Sequence, residues 1–533
     1  MGAPQDIDEL TKSELRAMVV ALLSQVTELQ LIVKAQSDEI ARLKDLNQRP
    51  KIKPDKPSGM ERETSAKSNG GGGLGGRLRR GPKRTPRVAV EDEVLSPPVP
   101  PGARFKGYQD YIVQDLVIRP RVIRYRRARW VTADGKTIIA PLPPGVEGHF
   151  GPELRRYVLM QYHQGQVTVP RIVVLLKSLG IDISKRQVMR LLIKGKEGFL
   201  SEAREVLRSG LAAAPWVNVD DTGARHKGKN GYCTVVGNQH FTWFGTTLSK
   251  SRKNFLELLR AGHDDYVISP DALDYMHGRN LSAVVIKLLT DHPDQSFADL
   301  DTWTAHLERL GIAALDVLPN PVLIATEGAL WGSVKAHGFL HDTVILSDDA
   351  GQFNVGRHAL CWIHSERLVY KLNTFTEAHR AAQAQVRGLI WELYADLKAY
   401  REAPSADLKT NLSDRFDAIF KSRSTFTLLN RLLKRIYHNK AELLRVLDYP
   451  VTPLHTNGAE NDIRCQVTKR KVSGGTRSDV GRDCRNAFLG ISKTCSKLGI
   501  DFWDYLGARL RTDDPPDIPN LAEIVSTRCA AAA

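Results

Sequence analysis

Apolar positions recur every seven residues at the start of the chain. Val19, Val26, Val33 and Ile40 form one track; Leu15, Leu22, Leu29 and Leu43 form a second, with Gln36 filling its gap. β-Branched residues on one track and leucines on the other match the a and d positions of a parallel two-stranded coil, so residues 1–48 are expected to dimerise. An amphipathic helix packed on its own chain is the alternative. Over 49–103 the periodicity disappears. Gly70 to Gly73, Gly75 and Gly76, then Arg77, Arg79, Arg80, Lys83, Arg84 and Arg87, and prolines from Pro97 to Pro101 predict a flexible basic linker.

Residues 104–148 read as a small β unit. Val122, Ile123 and Tyr125 are interspersed with Arg119, Arg121, Arg124, Arg126, Arg127 and Arg129, and Asp134-Gly135 marks a hairpin turn before Thr137-Ile138-Ile139. With Tyr125 and Trp130 interleaved, this surface suits a grip on a nucleic-acid backbone, or a solvated strand face. Helical spacing returns over 149–212. An apolar stretch from Pro170 to Leu179, the turn Gly180-Ile181-Asp182-Ile183, and Ser184 capping a basic helix from Lys185 to Lys194 form a helix-turn-helix pattern. Lys185, Arg186, Gln187 and Arg190 are its expected groove- or phosphate-facing residues.

Over 213–512 strands dominate the candidate core. Trp216 to Val219 runs into Asp220-Asp221-Thr222, and further strands follow at Tyr232 to Val236 and Phe241 to Leu248. Thr343 to Leu346 leads to Ser347-Asp348-Asp349, with another strand at His358 to Ile363. Far downstream, Thr456 to Arg464 reads as a helix capped near Asn457 that carries Glu460. Helical patterns near 262–330 and 376–448 read as insertions, and 513–533 as a tail. The expected class is α/β: an RNase H-like mixed sheet with helical insertions, preceded by the coil, the β unit and the helix-turn-helix.

Composition narrows the partners. At 533 residues the chain exceeds one ordinary core. Its 76 lysines and arginines against 60 acids give a net charge of +16, which favours nucleic acid, with an anionic membrane surface as the rival. There is no apolar run of about 18 residues and no signal-like start, so no membrane span and a cytoplasmic, nucleoid-associated location are expected. The six cysteines are scattered without a CxxC pair, which argues against a disulfide framework or a zinc ribbon.

Two-metal phosphodiester chemistry needs oxygen ligands, one carboxylate shared by both ions and others holding each alone. Asp220, Asp348 and Glu460 supply an ordered set: two strand-end acids and one from a helix. Strand neighbours point to opposite faces, so Asp221 and Asp349 remain register alternatives. Any one of these acids alone reads as a turn or cap residue. His364 forms only a lone CxxH with Cys361, too little for a metal site; a buried, hydrogen-bonded histidine on a strand or helix start is the simpler role, with orientation of a carboxylate or phosphate at the active-site edge as the alternative.

Several stretches together resemble the transposase of the insertion sequence 66 family of bacterial mobile elements. Val219-Asp220-Asp221-Thr222-Gly223-Ala224-Arg225 is similar to its first-aspartate motif, normally Asp-Glu-Thr, and Ser347 to Phe353 to its second. Cys361 to Arg367 resembles its Cys-Trp-x-His-x-x-Arg, and Asn457 to Arg464 its Asn-x-x-Glu-x-x-x-Arg, followed by the basic Arg470-Lys471 and Ser473 to Ser478. The resemblance implies a DDE-type DNA transposase whose triad is Asp220, Asp348 and Glu460, using two Mg²⁺ or Mn²⁺ ions. It further implies DNA partners (terminal inverted repeats and target), accessory proteins of the same element, and DNA contacts from Arg464, Lys469, Arg470, Lys471 and Arg477, with His364 and Arg367 in support. The family's cysteine pairs are absent from 104–142, so zinc is not expected there. A non-catalytic DNA-binding regulator and an RNase H-like nuclease are the competing readings.

Overall fold

The computed structural model describes residues 90–143, 146, 148–513 and 515–532, together with Ser13, Val19, Val20, Leu22, Val26 and Glu28. Those six are helical and exposed. Otherwise the expected coil, and the expected linker as far as residue 89, lie outside the described residues.

Residues 90–128 are exposed and form neither strand nor helix. Strands β1 (Arg129–Val131) and β2 (Thr137–Ile139) pair antiparallel, with Trp130 opposite Ile138. Gly135 takes the positive φ of 79° that the expected hairpin turn demands. The strand expected around Val122 is not formed, and every residue of β1 and β2 is exposed, so this unit has no core of its own. The physical reason lies in the pattern: arginines at 121, 124, 126, 127 and 129 interrupt both faces, leaving neither apolar enough to bury.

Helices α1 (Pro152–His163), α2 (Val169–Ser178), α3 (Lys185–Ile193) and α4 (Glu197–Ala213) follow. Ser184 caps α3 as expected, in a reciprocal box: its hydroxyl accepts from the Gln187 amide and the Gln187 side chain accepts from the Ser184 amide. Ile172, Leu176, Val188 and Leu192 bury the inner faces of α2 and α3 in the same core that covers the sheet.

That sheet is mixed, with five strands among the described residues: β3 (Trp216–His226), β4 (Lys229–Gly237), β5 (Thr242–Thr247), β8 (Val344–Ser347) and β9 (Arg357–Leu360), in the order β5-β4-β3-β8-β9. The first three strands are antiparallel; β8 and β9 add in parallel. Alternation sorts the side chains. Val217, Val219, Val236 and Ile345 enter the main core, whereas Val235 packs with Ala459 and Ile463 of helix α15 (Asn457–Ser473) on the other face.

The first insertion holds α5 (Arg252–Leu259), the strand pair β6 (Tyr266–Val267) and β7 (Ser296–Phe297), α6 (Pro270–Gly278), α7 (Ala283–Thr290), α8 (Leu300–Arg309) and α9 (Pro321–Ala336). After α10 (Trp362–Tyr370), the second consists of α11 (Glu377–Glu402), α12 (Ala406–Phe420), α13 (Thr427–His438) and α14 (Lys440–Leu443). Helices α16 (Asp479–Leu498), α17 (Phe502–Leu510) and α18 (Leu521–Ala530) close the chain. The expected tail therefore contains a packed helix, with Leu521, Val525 and Cys529 buried. No helix among the described residues is long and apolar enough to cross a membrane.

Candidate active site

β3 and β8 pair in a register that matches Trp216 to Val344 and Asn218 to Leu346. Carried two residues on, it sets Asp348 beside Asp220. Asp220 also pairs across the sheet with Val235, which packs against α15, so Asp220 lies on the face that α15 covers. Glu460 occupies the first turn of that helix, near the positive end of its dipole. The three acids predicted from the sequence thus meet at one edge of the sheet.

Their electrostatics are those of an uncompensated cluster. Burial, followed by the charges of Asp348, Glu460 and Asp221, pushes Asp220 up to about 6, against the pull of the Asp221 amide that donates to its Oδ1 at 2.7 Å. Glu460 Oε1 is buried and finds no hydrogen-bond donor among the described residues; His364 Nε2 stands 3.6 Å away. Burial resists charging that imidazole, but the Cys361 sulfur and the carboxylates of Glu460 and Asp348 prevail and push it up to about 9. His364 thus leans on the cluster from α10 as an imidazolium. Arg367, one turn further along α10, is half-buried.

The register alternatives sit in different surroundings. Asp221 points to the opposite face of β3, where Lys250 pairs with its Oδ1 and Gln352 Nε2 donates to its Oδ2 at 2.8 Å. Asp349 is held by Arg435 of α13 and by Asn439. Both are thus ion-paired, whereas the Asp348 carboxylate accepts, among the described residues, only the Ala350 amide, at 3.1 Å, in its own turn, with Lys250 and His364 within electrostatic reach. That turn is fixed from the first insertion. Arg252 donates to the Gly351 carbonyl at 2.8 Å and faces the buried Glu327, which also accepts from the Tyr275 hydroxyl at 2.7 Å. Lys250, Arg252 and Glu327 were not singled out in the sequence, where nothing marks them as partners of distant acids. Gln352 lay inside a motif already noted.

The basic residues divide. Lys185, Arg186 and Arg190 are exposed along α3, and Arg464, Lys471 and Arg477 are exposed on α15 and the turn after it. Arg470 is half-buried, and a Cβ at Gly223 would lie 2.8 Å from its guanidinium, so the glycine makes room for it against β3. Gln187 uses its Oε1 in the helix cap. One expectation needs correction. Lys469 is fully buried, with its ammonium over the Tyr162 ring and donating to the Tyr162 carbonyl, because its position on α15 faces α1 rather than solvent.

A family model described as "Transposase IS66 family" matches residues 147–272 and 340–483. The uncharacterized protein y4jO of Sinorhizobium fredii (strain NBRC 101917 / NGR234) is 45% identical over 323 residues, which span 61% of this chain and 100% of that protein.

Proposed function

Because the chain belongs to the IS66 family of transposases, we propose that it cuts and joins DNA at an acidic triad of Asp220, Asp348 and Glu460. The observation that carries this reading is the convergence of three carboxylates at one place, where burial and then their mutual repulsion push Asp220 up to about 6. Carboxylates gathered in this way, one with a buried oxygen that meets no donor, fit hard divalent cations. Asp220, whose charge is felt with those of both others, is the natural shared ligand; Asp348 and Glu460 would each hold one ion. When bound, Mg²⁺ or Mn²⁺ would supply activation of the attacking water or 3′ hydroxyl and stabilisation of the leaving oxygen. The sheet order, three antiparallel strands with two parallel ones added beside the first, supports an RNase H-like reading of the domain.

The remaining residues bind and orient. Lys185, Arg186 and Arg190 grip phosphates of the element end, while Arg464, Arg470, Lys471 and Arg477 hold the backbone beside the acids. His364, charged and next to Glu460, fixes the direction of that carboxylate. Asp221, locked by Lys250 and Gln352, ties β3 to the turn that carries Asp348. Residues 1–48 pair two chains; removing them should leave a monomer in sedimentation experiments, and an unchanged dimer would place the interface elsewhere.

The test is strand transfer in Mg²⁺ on DNA carrying the terminal inverted repeats. Asp220→Asn, Asp348→Asn and Glu460→Gln should each abolish product while end binding persists. Full activity in any one removes that residue from the triad.

A further inference from the structure

Beyond α5, the first insertion starts and ends at one place, where the chain before β6 meets the end of α9. The chain turns at Ala261 and Gly262, both with positive φ, and presents His263 and Asp265 immediately before β6. It returns at the end of α9, where His337 caps the helix. These three side chains meet. The imidazoles of His263 and His337 stack with centroids 3.5 Å apart, and His337 Nε2 lies 2.9 Å from Asp265 Oδ1. The donor atoms of the three residues all fall within 4.8 Å of one another. They are half-buried, so water and ions can reach them.

We propose that His263, Asp265 and His337 form a transition-metal site, for Zn²⁺ or an ion of similar preference, that clasps the neck of the insertion. Two imidazole nitrogens and one carboxylate are the donor set such ions favour, and they leave a fourth position for water. A tetrahedron with bonds of about 2 Å has edges of roughly 3.3 Å, so binding must draw the donors together and turn the two stacked rings out of their near-parallel arrangement until each nitrogen lone pair aims at the ion. The outer partners are already in place. Ser333 Oγ donates to Asp265 Oδ1 at 3.0 Å, and Arg260 holds the Asp265 carbonyl at 2.9 Å, which fixes the loop that offers the ligands. The site differs in kind from the all-carboxylate cluster at the sheet edge, which suits hard ions. Two of its ligands, His263 and Asp265, lie within the first family-matched segment, and His337 lies between the two matched segments.

The experiment uses the full-length, untagged protein stripped with a chelator, then titrated with Co²⁺ and with Zn²⁺ alone. The expected result is a visible cobalt absorption band with one equivalent per chain, displaced by Zn²⁺, and a Zn²⁺-dependent rise in melting temperature. His263→Gln and His337→Gln should each weaken binding by at least the ~10-fold that losing even an outer-shell partner costs, and should lose the thermal shift. Asp220→Asn should keep both signals. The His263→Gln chain loses only the ring contacts with His337 and Phe339, so it remains a folded test if His337→Gln does not fold. A cobalt band and thermal shift that persist in His263→Gln, that vanish in Asp220→Asn, or that never arise in the parent chain overturn the proposal.

Discussion

Helix α15 carries two acids, two residues apart, in opposite circumstances. Glu460 joins Asp220 and Asp348 at the sheet edge, where like charges gather and Glu460 Oε1 has no donor. Asp462 turns into the packed rear, where Thr242 donates to it at 2.8 Å and Lys497 neutralises it. Glu202, also at the rear, is matched even more fully: it accepts from the Tyr505 hydroxyl, from Arg509 and from the Leu521 amide. The residue types are the same, but Glu460 is half-buried where Asp462 and Glu202 are buried. They differ further in whether the neighbours compensate the charge. A compensated buried acid holds elements together; an uncompensated cluster weakens the fold and is understandable as a place kept ready for cations.

The sharpest way to break this comparison is to neutralise one acid from each region. Asp220→Asn should lose strand transfer altogether yet melt no lower than the parent, because it relieves repulsion. Glu202→Gln should lose about 3 kcal/mol of stability, because Arg509 is left without its carboxylate. Chemical denaturation together with the transfer assay reads both. A destabilised Asp220→Asn beside an unaffected Glu202→Gln would reverse the roles assigned to the two regions.

A smaller effect is expected one residue away. Asp221→Asn can keep an oxygen toward Gln352 only by turning its amide N–H groups toward Lys250, so it loses both the charge and the acceptor that Lys250 meets. Transfer rates should fall roughly 10-fold, the low end of what misplacing a reacting group by a fraction of an ångström costs. A loss as complete as that of Asp220→Asn would mean that the wrong member of the pair has been placed in the triad.

The legible parts were those governed by local physics. Apolar runs ending in aspartate placed β3 and β8, the Ser184 cap announced α3, and Asp134-Gly135 announced its hairpin. Which of two adjacent aspartates faces α15 was not legible, because it depends on Lys250, Gln352 and Arg435, which arrive from other elements. The region 104–128 misled for the opposite reason: its residues favour strands, but arginines on both faces give a strand nothing to bury. The neck histidines carried no signal, since His263 and His337 are brought together only by the return of α9.

Lys469 offers the finest test, because it stands at the rear of the helix whose front holds Glu460. Burial, reinforced by Arg485, pulls its ammonium down from the usual 10.5 to about 7. The folded chain then releases this proton more readily than the unfolded chain does. Between about pH 7 and pH 10.5 the unfolded state binds more protons, so wild-type stability climbs with pH in that window, and below it the full cost of burying the charge is present. Lys469→Met removes the cost at the loss of one hydrogen bond to Tyr162. Its stability relative to wild type should therefore be most favourable near about pH 6 and should decline steadily toward about pH 10. Thermal melts across that range decide the matter. A difference that stays flat with pH would show that Lys469 keeps its proton in the fold, and that the rear of α15 tolerates a charge as readily as its front.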